Sequence, residues 1–130
     1  MKKTLKLKTF RYGDPPKRGE GLCIGTTRRP PRGVRKNRWR DYFDVWFPLL
    51  APSERLLRRT KRGNMDYQTF CSSYERELLG SAESKQALEL LAALALRTPI
   101  SIGCYCEDES RCHRSHLRKL IEQTAKKIRA

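Results

Sequence analysis

Apolar and polar positions alternate at the start of the chain, Leu5, Leu7 and Thr9 against Lys6 and Lys8, which is the period of a half-buried strand. Glycine and proline in RYGDPPKRGEG then break the pattern, so Thr4 to Phe10 is expected as an edge strand or hairpin arm. Gly21 to Thr27, GLCIGTT, is short, apolar and partly β-branched. It reads as a buried strand that delivers the loop RRPPRG at its carboxyl end. Between Trp39 and Leu50, the aromatic residues Tyr42, Phe43, Trp46 and Phe47 mix with Asp41 and Asp44 ahead of Pro48. A short helix or irregular segment packed on the core is expected there.

Three helical segments follow. Ser53 can cap a short helix through Arg59, with Leu56 and Leu57 inward and Gly63 ending its basic tail. Asp66 can cap a second, whose Tyr67, Phe70, Cys71, Tyr74 and Leu78 recur at helical spacing until Gly80. The third starts near Ser81 and runs through ESKQALELLAALALR, apolar over most of its girth, as in a helix buried against a sheet. Past Pro99, Ile100 to Cys106 is the second buried strand. The loop EDESR leads into an amphipathic helix from Cys112 to Ile128, marked by Leu117, Leu120, Ile121, Ala125 and Ile128. This order of elements predicts a small single α/β domain over residues 1–130, with a mostly parallel sheet flanked by helices and an amphipathic helix at the carboxyl end.

Charge adds a location to this outline. The chain carries a formal net charge of +15, and residues 1–62 hold 19 Lys and Arg against 5 Asp and Glu, which leaves the second half near neutrality. The densest stretch, Arg28 to Arg40, has seven basic residues in thirteen and no acid. Arginine outnumbers lysine, which suits bidentate contact with phosphate. The partner expected is nucleic acid or a phosphate-bearing small molecule, not a membrane. No stretch is apolar and long enough to span a bilayer and the basic start lacks the apolar core of a signal peptide, so a cytoplasmic protein is expected. Trp39, Trp46 or Phe47 exposed in one patch would instead suit a protein partner.

Five cysteines without an export signal argue for thiols. Cys104, Cys106 and Cys112 gather with His113 and His116 in GCYCEDESRCHRSH, where a strand feeds a helix and anions find free N–H groups. Several chemistries fit these residues. Cys112 is a candidate nucleophile, its thiolate favoured by the helix terminus and neighbouring arginines, with His113 moving the proton. Arg28, Arg29 and Arg32 of the first loop, together with Arg114 and Ser115, are candidate anion ligands. No cofactor is expected first; the runner-up is zinc on Cys104, Cys106, Cys112 and His116, although Cys-x-Cys is not the usual knuckle spacing. The thiols can also simply pack and cap. Two spacings are discounted: Cys106 to Arg111, where three carboxylates would repel a thiolate, and Cys112 to Arg118, which a helix starting at Cys112 would prevent from curling round a phosphate.

The apolar strand with Cys104, the acidic loop Glu107 to Arg111 and the run Cys112-His113-Arg114-Ser115 resemble the YeaO-like proteins of the domain-of-unknown-function family 488. The upstream Thr27-Arg28-Arg29-Pro30-Pro31-Arg32-Gly33 is similar to that family as well, and the resemblance covers about Leu22 to Ile121. It implies an α/β fold and a site shared by the two loops, and it names no substrate. Cys106 stands where many relatives carry Glu, and Thr27 where an acid often precedes the Arg, so a role of either carboxylate would not transfer. The functional expectation is a binder of a phosphate-bearing ligand, a nucleotide or nucleic-acid backbone, through the Arg/Pro loop and the Cys-His-Arg helix start. The alternative is a small thiol-dependent enzyme that uses Cys112 on an anionic substrate.

Overall fold

Capping chemistry sets the helices. In a computed structural model, which describes residues 4–63, 65–106 and 112–129, Ser53, Asp66 and Ser81 each accept a backbone N–H from the first turn of the helix that follows. These helices are α1, Glu54–Lys61, α2, Tyr67–Leu79, and α3, Ala82–Ala95. Gly80 ends α2 as expected. The last helix, α4, is His113–Arg129, so Cys112 immediately precedes it.

The sheet is parallel throughout, in the order β1-β4-β2-β3. Its strands are β1, Leu7–Arg11, β2, Leu22–Gly25, β3, Val45–Trp46, and β4, Ile100–Cys104. The first strand is therefore an edge strand and not a hairpin arm, because β4 lies between it and β2. The aromatic stretch differs from expectation in holding a strand. A 3-10 helix over Lys36–Asp41 and a second over Pro48–Leu50 flank β3. Two residues are too few to show any period, so tertiary pairing with Ile24 and Gly25 makes this strand.

Register separates two faces. Leu7, Ile24, Ile100 and Ile102 point to the helices and join an aliphatic core with Leu88, Leu91, Leu117 and Ile121. On the opposite face Gly25 and Gly103 are neighbours, and the rings of Phe10, Tyr12 and Phe43 lie on them. A Cβ added at Gly103 would meet the Phe10 ring at 2.5–2.7 Å, so glycine here makes room for an aromatic layer. Trp39 and Trp46 are half-buried against that layer, with ring centroids 5.4 Å apart, and Phe47 packs on the helical core. They do not form the exposed patch that would suit a protein partner.

Candidate functional site

Both chemistry-bearing loops leave the same edge of the sheet because β2 and β4 are adjacent and parallel. The Thr26 N–H donates to the Gly103 carbonyl at 2.9 Å. His113, at the start of α4, donates from Nε2 to the Thr26 carbonyl at 2.8 Å. The two loops thus begin in direct contact.

On the helical face, Thr26 and Cys104 form the rung beyond Ile24 and Ile102, and the start of α4 closes over it. The sulfurs of Cys104, Cys106 and Cys112 lie within 4.8 Å of one another. Cys104 and Cys112 are buried, Cys106 half-buried. Arg114 is buried too, at 4% exposure. Its Nη1 donates to Cys104 Sγ at 3.1 Å, to the Cys106 carbonyl at 3.1 Å and to the Cys104 carbonyl at 3.4 Å. Its Nε is buried without a partner among the described residues. Arg114, expected as an anion ligand, turns back onto the strand end, where the carbonyls that run past β4 need donors.

The electrostatics favour one sulfur. Hydrogen bonds from the Cys104 and Cys112 thiols, reinforced by the Arg114 charge, pull the Cys106 thiol well below its ordinary value. The same shared hydrogen bonds, with burial, push Cys112 up. These directions favour Cys106 over the buried Cys112 as the first of the three thiols to ionise. Burial lowers His113 to about 4, so its imidazole is neutral at pH 7. With Nε2 donating to Thr26, the free Nδ1 lone pair faces Cys112 Sγ at 3.7 Å. His116 is elsewhere: its Nε2 lies 3.3 Å from Glu75 on α2, so it does not join the sulfurs as the zinc set required.

Sequence reasoning missed the residues that hold this site from α2. Tyr67 donates to the Cys112 carbonyl at 2.8 Å, and Tyr74 sets its ring edge-on to His113 while bonding the Leu50 carbonyl. Their helical spacing was visible, but it reads equally as core packing. Ser115 is half-buried, and its N–H donates to the Cys112 carbonyl at 3.2 Å.

The Arg/Pro loop is built differently. Tyr12 Oη and Thr27 Oγ1 are 3.0 Å apart, Trp46 Nε1 donates to the Thr27 carbonyl, and Trp39 Nε1 donates to Val34. Aromatic residues of the second face thus hold the loop from below. Arg28 is spent internally, donating to the carbonyls of Ala51 and Pro52. Arg29 forms a two-pronged pair with Glu54 at 3.2 Å on each arm. Arg32 is exposed and without a partner among the described residues. The spacing from Cys112 to Arg118 lies along α4 and cannot fold round a phosphate. The acidic loop Glu107 to Arg111, and with it the spacing from Cys106 to Arg111, falls outside the described residues.

Fold and site together define a small parallel α/β protein with a cysteine centre at the carboxyl edge of its sheet. A family model described as the active DUF488-N3 subclade matches residues 7–125, and the chain belongs to the DUF488 family, the YeaO-like domain of unknown function. No curated protein and no solved structure matches it. Among the described residues, no helix is long and apolar enough to cross a membrane.

Proposed function

We propose that the protein binds the phosphate backbone of a nucleic acid across the surface formed by the Arg/Pro loop and α1. The observation that carries this reading is a stripe of arginines. Arg55, Arg58, Arg59 and Arg62 fall at i, i+3, i+4 and i+7 and so share one face. All four are exposed, and none is in an ion pair among the described residues. At the head of this helix, Arg28 and Arg29 fasten the Arg/Pro loop to Ala51, Pro52 and Glu54. Exposed Arg32, Arg35, Lys36 and Arg40 extend the charge from there. Such a cationic surface suits contact with successive phosphates.

Within this reading, Arg28 and Arg114 position structure and do not touch the ligand, while Arg32 remains a direct contact. The test is the salt dependence of binding to short DNA and RNA, followed by fluorescence anisotropy. The logarithm of affinity should fall linearly with the logarithm of salt, with a slope that reports several neutralised phosphates. Binding that is absent at low salt, or a slope near zero, would overturn the reading.

A further inference from the structure

We infer that Cys104, Cys106 and Cys112 form a three-thiolate zinc site with its fourth position open to an exchangeable ligand. The inference rests on the sulfur geometry and goes beyond the polyanion surface. The three sulfurs converge from two elements, the end of β4 and the residue preceding α4, to within 4.8 Å of one another. Zinc holds thiolates at about 2.3 Å in a tetrahedron whose edges are about 3.8 Å. Closing the triangle thus takes no more than about 1 Å at any sulfur. A cysteine two residues past Cys104, where the strand has just ended, can converge with it because the regular pleat no longer fixes its direction.

A second observation points the same way. Arg114 is a buried cation with no carboxylate partner among the described residues, and its donors are aimed at Cys104 Sγ and at the carbonyls of Cys104 and Cys106. A buried guanidinium requires an anion. Three thiolates on one divalent zinc leave a single net negative charge, which matches Arg114. Its N–H groups then act as outer-sphere donors that orient the sulfurs. Among the described residues no fourth side chain lies within 4.8 Å of all three sulfurs: His116 is held by Glu75, and His113, tied to the Thr26 carbonyl, brings its Nδ1 to 3.7 Å from Cys112 Sγ alone. Three protein ligands with an exchangeable fourth is the pattern of a zinc that takes water or a substrate, not of a closed structural knot. Soft thiolate ligands favour zinc over hard cations such as magnesium.

The experiment uses the reduced full-length chain, loaded with zinc chloride, desalted and measured by elemental analysis. About one zinc per chain is expected, with a parallel cobalt complex showing sulfur-to-metal charge transfer and tetrahedral d–d absorption. Cys106→Ala should reduce retention to background, whereas Cys71→Ala should leave it unchanged. Because Cys106 is half-buried at a loop, its removal spares the core, and circular dichroism verifies the fold. Arg114→Lys should weaken zinc about 10- to 100-fold. Reduced protein that retains no zinc, with Cys106 alkylated rapidly by iodoacetamide, would overturn the site in favour of a free thiol. Zinc retained undiminished by Cys106→Ala would overturn it as well, by placing the metal elsewhere. Neither result touches the salt test of the basic surface.

Discussion

The two faces of the sheet end in different chemistry at the same edge. The helical face, aliphatic along Ile100 and Ile102, ends in a buried rung of sulfur, imidazole and guanidinium closed by α4. The aromatic face, laid over Gly25 and Gly103, ends in Thr27 and props up an exposed cationic loop. One cleft shared by both loops was the sequence expectation. The loops do adjoin, but their arginines face opposite tasks: Arg114 serves the buried sulfurs, while Arg32 and the α1 stripe meet solvent. Proximity along a sheet edge does not by itself make one site, because the pleat and the helix start aim neighbouring side chains to different sides.

Substitutions can break or sharpen this contrast. The largest effect is expected at the surface, where replacing Arg55, Arg58, Arg59 and Arg62 together with Ala should weaken DNA or RNA binding about a hundredfold or more at low salt and reduce the salt slope by about three to four. Its urea midpoint should stay near that of the unmodified chain, and an equal loss of stability would show that the stripe is structural. Next comes Arg114→Met, which strips the carbonyls of Cys104 and Cys106 of a buried charged donor and should cost about 2–4 kcal/mol in urea denaturation. Nucleic-acid affinity of that variant, measured below its unfolding midpoint, should not change. A parallel fall in affinity would merge the two regions into one.

Gly103→Ala probes the aromatic face. The new methyl would collide with Phe10, and the repacking should cost about 1–3 kcal/mol. Loss of loop order should follow, read as faster hydrogen exchange at residues 27–34. The smallest effect belongs to the Arg29–Glu54 pair, which is exposed. Arg29 holds the Glu54 carboxyl below its ordinary value of 4.5. Its contribution is therefore complete above that pH and is lost as acid protonates the carboxyl. Glu54→Gln should remove only a minor part of the acid sensitivity of the thermal midpoint, because solvent screens the pair.

Much of this was legible in the sequence. Ser53, Asp66, Ser81 and Gly80 mark helix ends by local hydrogen bonding and backbone preference, and these are properties of a few adjacent residues. Gly21 to Thr27 and Ile100 to Cys106 showed as strands by composition, and the Cys-His-Arg run stood out by residue type. The β3 pairing was not legible, since two residues carry no period. Nor was the inward turn of Arg114, which answers carbonyls that are free only once β4 has ended against β2. His116 was grouped with the cysteines by nearness in the chain, yet one turn of α4 carries it round to Glu75 on another helix.

By itself, then, the sequence determined most of the elements, the parallel α/β class, the basic first half and the clustering of three cysteines. All of these follow from local pattern and residue chemistry. Only the tertiary structure decided strand order, the burial of Arg114, the convergence of the sulfurs and the exposure of the α1 stripe. Those depend on which unsatisfied donors and acceptors meet across the sheet, and no window of adjacent residues contains that information.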